Sequence, residues 1–342
     1  MGSLLMAAGC SQEPSISFFC ESDRAGNYIL KWEVSPKDDD DEIKIYMSKD
    51  DAGFQEPPVL TTSVNDYVAT IPTGDPIGRH FFRLKVNKTF SGVISNRVFK
   101  TDSVQNFRDL GGYNTVTGKQ VKWGRLYRSG ELYELTGKDK NMLDALGIKT
   151  VVDFRDHEER LQYPDDYQAQ KIIHIPMYTG NRAYVREKII DGTFYRGDAI
   201  IFTQDTYKTL ITDYSEEFAQ LFDILCDEAN YPVLIHGYLG KDRVGLASYI
   251  LLYVLGVSNA VNEDDYLLSN SNISEEQVMG EARFLPERMQ EAATVVCKVN
   301  LSYLNYAKTC MINKSGSIDN YITNELKLTE DKKEKLRQIL LY

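Results

Sequence analysis

The sequence is poor in the features that would assign a chain to a membrane, a nucleic acid or a disulfide scaffold. No apolar run reaches the length of a transmembrane helix. No basic run offsets the formal net charge of -11, which excludes a general binder of nucleic acid or anionic membranes, so any phosphate-binding capacity must be local. There is no internal repeat and no low-complexity segment. The 5 cysteines, Cys10, Cys20, Cys226, Cys297 and Cys310, have no metal-ligand spacing and form no regular framework, so neither a metal site nor a disulfide-stapled fold is expected. No cofactor is implied. What the chain does have is length for two domains, and 42% hydrophobic residues to fill their cores.

The start, Met1-Gly-Ser-Leu-Leu-Met-Ala-Ala-Gly-Cys10, runs small residues into a cysteine followed by a polar Ser11-Gln12-Glu13-Pro14. It looks like the end of a bacterial lipoprotein signal, with Cys10 as the lipidated residue, although the basic and most of the apolar part of a working signal are missing. The alternative is a chance cysteine in a disordered terminus. On the first reading residues 1–14 are a residual signal, and the protein is anchored to the cell envelope, periplasmic or surface-exposed, touching the membrane only through Cys10.

From 15 to 101 the signals are short strands and turns. Tyr28–Val34 and Glu42–Met47 flank Ser35-Pro36 and the run Asp38–Asp41, and read as a hairpin. Gly78–Val86 and Gly92–Phe99 bracket Asn87-Lys88-Thr89 in the same way. Such spacing, with an early tryptophan and no helical period, predicts an antiparallel all-β sandwich resembling a fibronectin type III module, its partner unknown. The aspartate run could hold half a calcium site, but no ligand spacing follows it, and a solvated turn explains it.

After residue 101 strand and helix signals alternate, which predicts an α/β domain with a mixed central sheet flanked by helices over 102–342. Thr206–Asn230 reads as one amphipathic helix delivering the chain to Val233-Leu-Ile-His236, a short apolar strand. Gly237-Tyr238-Leu239-Gly240-Lys241-Asp242 then forms a tight loop, and Arg243 opens an apolar helix. Successive backbone N–H groups and a helix N-terminus make this stretch an anion cradle, in which the planar Arg243 fork could grip two phosphate oxygens.

The loop resembles that of bacterial protein-tyrosine and dual-specificity phosphatases, which reads His-Cys-x-x-Gly-Lys-Asp-Arg-Thr-Gly. His236, Gly240, Lys241, Asp242, Arg243 and Gly245 match in register. Asn106-Phe-Arg108-Asp109-Leu-Gly-Gly112, Arg128-Ser129 and Asp153-Phe-Arg155 match the group's other motifs in order. Two positions depart: Gly237 stands at the nucleophilic cysteine and Val244 at a hydroxyl residue that helps the thiol leave.

The resemblance implies a phosphoric monoester hydrolase acting through a phosphocysteine on phosphotyrosine or other phosphomonoesters. Lys241 would suit ligands with several phosphates, such as phosphoinositides. Tyr238, Leu239, Gly240, Lys241 and Arg243 would bind phosphate, and Asp242 would be the general acid or, alternatively, brace the loop. His236 would hydrogen-bond within the loop. Arg108, Asp109, Arg128 and Arg155 would support it, although Arg128 and Arg155 could touch substrate, and Arg108 with Asp109 could form an ion pair. Tyr163-Pro164-Asp165 reads as a turn. With Gly237 there is no nucleophile, so the chain is expected to be inactive as written: either an inactivated form of an enzyme, or a natural pseudophosphatase that binds phosphorylated ligands without hydrolysing them.

Overall fold

A computed structural model describes residues 13–180, 182–280 and 284–342. Cys10, the expected lipidation site, lies outside them. The chain divides into two compact units, 1–96 and 97–342. The division comes before the change of texture at 101/102 because residues just ahead of it already pack with the second unit. Asp109 donates its N–H to the Arg97 carbonyl, and the Phe99 ring meets those of Phe107 and Tyr127.

The first unit is all-β: β1 (Ser15–Ser22), β2 (Asn27–Ser35), β3 (Glu42–Ser48), β4 (Leu60–Ser63), β5 (Val68–Pro72), β6 (Phe81–Val86) and β7 (Thr89–Phe90). They form two antiparallel sheets, ordered β1-β2-β5 and β4-β3-β6-β7. Strand alternation decides the core: Tyr28, Leu30, Trp32 and Val34 of β2 face Ile43 and Ile45 of β3 and Phe82, Leu84 and Val86 of β6 in one cluster. Each such fully buried apolar side chain contributes about 1.5–3 kcal/mol. The hairpin expected of β2 and β3 does not form. Each buries its apolar face against the other sheet, so the segment between them crosses from one sheet to the other. The second expected hairpin closes at β6 and β7, where Val86 pairs with Thr89, while beyond it Ile94 makes only an isolated bridge to Phe82.

The second unit is built on β8 (Arg108–Asp109), β9 (Leu126–Ser129), β10 (Thr150–Asp153), β11 (Lys171–His174) and β12 (Val233–His236), ordered β11-β10-β12-β9-β8. The sheet is parallel except for β8, which is antiparallel to β9. The central strand β12 is buried along its whole length, as its unbroken apolar run requires. The segment read as one helix over 206–230 is two, Arg196–Thr212 and Ser215–Leu225, followed by a single turn at Glu228–Asn230. The break falls at Tyr214, whose backbone leaves the helical region (φ -114°, ψ 26°). Its hydroxyl accepts instead from the N–H of Tyr178. Phe218, Leu221, Phe222 and Leu225 still fill the core beside the helix Arg243–Val254, which is buried on nearly every face. Residues 237–242 lie between the carboxyl end of β12 and that helix, where an open α/β sheet presents its ligand-binding loops.

Candidate functional site

Among the described residues, the backbone N–H groups of Leu239, Gly240, Lys241 and Asp242 donate to no protein acceptor. They stand at the N-terminus of the Arg243–Val254 helix, a ready anion site. Three of the loop's carbonyls, by contrast, those of Tyr238, Leu239 and Gly240, are engaged from outside. The Asn106 side chain donates to Leu239 and Gly240 carbonyls at 3.0 and 3.1 Å, the Arg128 guanidinium donates to the Gly240 carbonyl at 2.6 Å, and the N–H of Glu131 reaches the Tyr238 carbonyl at 3.0 Å. Holding the carbonyls outward leaves the N–H groups facing inward. Gly240 is required for this path: its φ is +63°, and a Cβ there would overlap the Ser129 carbonyl.

Arg243 is buried and fixed by four contacts. Its Nη1 donates to the Phe154 and Met177 carbonyls at 2.9 and 2.8 Å and to Glu159 Oε2 at 2.7 Å, and its Nη2 donates to Glu159 Oε1 at 2.9 Å. The bidentate carboxylate takes one edge of the fork, leaving the edge made of Nε and one Nη2 hydrogen. Burial alone would lower the Arg243 pKa, but Glu159, with Asp242 and Asp153, more than offsets it, so the net shift is upward and the cation is secure. Glu159 is itself placed by the first turn of the helix His157–Gln162, where it closes a capping box with Asp156.

Gly237 sits at the floor of this cradle. A Cβ added to it would meet Val244 Cγ2 at 3.5 Å, Arg243 Nε at 3.8 Å and Phe154 Cβ at 4.0 Å, all ordinary contacts, and its φ lies outside the left-handed region. Nothing in the backbone therefore requires glycine there. Asp242, partly exposed beside it, makes no cap hydrogen bond. Its two oxygens accept from Lys241 Nζ at 2.9 and 2.8 Å. The buried Tyr207 hydroxyl lies 2.6 Å from that of Tyr266. Burial, with Tyr266 and Asp242 nearby, raises the Tyr207 pKa far above the usual phenol range, so it remains a protonated donor.

Beneath the loop lie two buried polar nodes. In the first, Asp265 receives Arg108 Nε at 3.2 Å, Arg128 Nη1 at 2.9 Å and the Tyr113 hydroxyl at 2.9 Å. Burial alone would raise the Asp265 pKa, but the two guanidiniums overcome it and hold the carboxyl well below the usual range. Burial and the neighbouring Arg108 bring Arg128 down to about 9, with Asp265 acting against them. Arg108 therefore pairs with Asp265 and not with Asp109, whose oxygens accept the N–H groups of Gly111 and Gly124 at 2.6 and 2.7 Å and close the turn after β8.

In the second node, Arg155 donates Nε and Nη2 to Asp153, each at 3.0 Å, Nη1 to the Tyr163 carbonyl at 2.6 Å, and pairs with Asp165 at 2.7 Å. Burial opposes ionisation of Asp153, but His236 and Arg155 lower its pKa to about 2. His236 belongs to this node and does not bond within the loop. Parallel pairing places it opposite Asp153, with Nε2 3.6 Å from Asp153 and 3.3 Å from Asp165. Asp153, Asp165 and His236 are close enough together to ligate a metal, but Arg155 already supplies the cation between these carboxylates.

Gly237, Tyr238, Leu239, Gly240, Lys241, Asp242 and Arg243 thus line one cavity of about 860 Å³, whereas Arg108, Arg128 and Arg155 are fully buried beneath the loop, away from it. Asp265, Glu159 and Asp165 were not singled out from sequence. Asp165 was visible as part of a turn motif; the others lie in polar helical stretches with no distinguishing spacing.

Residues 99–342 match the tyrosine phosphatase family. A protein of Cupriavidus necator named as a tyrosine-protein phosphatase is 30% identical over 233 residues, covering 66% of this chain and 83% of its own. The triple specificity protein phosphatase PtpB of Mycobacterium tuberculosis is 25% identical over 270 residues, 69% of this chain and 96% of its own. With its anion loop, buried arginine and supports in place, the chain belongs to the tyrosine phosphatase family.

Proposed function

We propose that this chain binds a phosphomonoester, phosphotyrosine above all, in the 236–243 loop and does not hydrolyse it by a phosphocysteine route. The observation that carries this reading is the contrast at the loop. Every feature that would hold a phosphate is present, whereas the floor position is Gly237, which has no nucleophile. A phosphate over Gly237 would take the inward N–H groups and the Nε edge of Arg243. In a chain with cysteine at 237, Asp242 would protonate the leaving oxygen and later activate water, and Arg243 would stabilise the transferring phosphoryl oxygens. Replacing a thiolate by hydrogen removes a negative charge facing the ligand, so binding survives the loss of chemistry.

In the same proposal, the β1–β7 unit is a fibronectin type III-like sandwich. Its strand order, three strands against four around one shared core, supports that reading. Cys10 would be the lipid anchor of an envelope protein, a reading that rests on the sequence of the first ten residues.

Calorimetric titration with orthovanadate tests the binding site. The chain is expected to bind it, and Arg243→Ala to abolish binding while far-UV circular dichroism is retained. Equal binding by the two proteins would remove the loop from the ligand site.

A further inference from the structure

Among the described residues, the lining of the cavity holding the loop has more carboxylates than cations, and Lys241 and Arg243 are already matched. Lys241 is buried and gives both its observed hydrogen bonds to Asp242, and Arg243 is held bidentately by Glu159. Beyond these pairs, Arg186 is the one further cation in the lining among the described residues, against the carboxylates of Asp102, Glu131, Glu134 and Glu187. Lys138 stands 3.8 Å from Asp102 and Arg155 3.9 Å from Glu131, so part of that charge is offset from outside the cavity; Glu134 and Glu187 are exposed. Apolar and aromatic side chains also line the cavity among neutral polar ones: Val185, Ile189, Phe202 and Val296, with Tyr133 and Tyr163 edge to face at 5.3 Å.

One phosphate can be held by the inward N–H groups and the free edge of Arg243. A second phosphate would meet a lysine already neutralised and a rim of carboxylates, which raises the free energy of a polyanion and lowers that of a cation. The expectation that Lys241 favours ligands with several phosphates is therefore reversed by its pairing with Asp242. We infer that the ligand is a phosphotyrosine segment flanked by basic residues, and that inositol polyphosphates and phosphoinositide headgroups are discriminated against. This rests on the phosphate-binding reading of the loop.

Fluorescence anisotropy with three labelled phosphotyrosine peptides, identical except for flanking Lys, Ala or Glu, tests it, with inositol hexakisphosphate as competitor. The Lys-flanked peptide should bind at least about fivefold tighter than the Glu-flanked one at low salt, the ratio shrinking as salt screens it. Glu134→Gln with Glu187→Gln should move the ratio toward one, and inositol hexakisphosphate should compete worse than the Ala-flanked peptide. Equal affinity for Lys- and Glu-flanked peptides, tighter binding of the Glu form, or strong competition by inositol hexakisphosphate would overturn the inference while leaving the phosphate site standing. If no phosphopeptide binds, the phosphate-binding reading fails and this inference with it.

Discussion

The place a Cβ on Gly237 would occupy lies 3.8 Å from Nε of Arg243, on the edge of the guanidinium that Glu159 leaves open. A side chain there would point at the group a phosphate would bind, and only the side chain is missing.

Glu159 fixes that edge and balances a buried guanidinium, so Glu159→Gln should weaken orthovanadate binding by about tenfold and cost about 3 kcal/mol in stability. A neutral amide cannot form the bidentate ion pair, and a mobile fork must be ordered on binding. Calorimetry of the variant measures the first effect and urea unfolding the second. Unchanged affinity would show that Arg243 needs no carboxylate to hold it.

Asp265 compensates two buried guanidiniums at once. Asp265→Asn leaves both without a counter-charge and should cost about 3–5 kcal/mol in urea unfolding, the usual penalty for stripping a buried ion pair of one partner. A loss under 1 kcal/mol would mean that the arginines can find water or another acceptor.

Gly240→Ala should be far more damaging than Gly118→Ala, although both residues have positive φ (+63° and +82°). Nothing lies within 4 Å of a Cβ at Gly118, so only local strain of about 1 kcal/mol is expected there. At Gly240 the Ser129 carbonyl must move, distorting the N–H cradle, and vanadate binding should be lost. Comparing melting temperatures and titrations of the two variants separates strain from overlap.

Acid should unfold the domain in a defined window. Asp153 has a folded pKa of about 2, below its unfolded value. The resulting stability is fully present above the unfolded pKa and is lost as pH falls through the folded one. Between about pH 4 and pH 2 this carboxylate alone should account for about 2 kcal/mol, with Asp265 adding in the same direction. Urea unfolding at stepped pH checks this: Asp153→Asn should show a shallower fall over that window than the parent chain, and an equal slope would assign the acid sensitivity elsewhere.

The loop was legible from sequence because its features are contiguous: a short apolar strand, Gly240 at a turn, Arg243 at a helix start. The supports were only partly legible. Arg108, Arg128 and Arg155 stood out beside strand ends, but Asp265, which serves the first two, comes from a distant segment, and no local spacing joins an acid to a base more than a hundred residues away, as for Arg128 and Asp265; Asp165, close to Arg155 in sequence, reads only as part of a turn. The break at Tyr214 was hidden because its apolar residues keep helical spacing across it. The β2–β3 pairing was misread because alternation fixes which face of a strand is buried without fixing which strand lies beside it.

The most direct test is turnover of an aryl phosphate by the chain as it stands and by Gly237→Cys, with acid quenching to trap a phosphoenzyme. The parent chain should give no turnover above background. The cysteine variant, for which the loop already has room, should hydrolyse the ester through a covalent phosphoenzyme. Hydrolysis by the Gly237 chain that Arg243→Ala abolishes, or a folded cysteine variant that binds vanadate yet neither turns over nor forms the intermediate, would contradict the account.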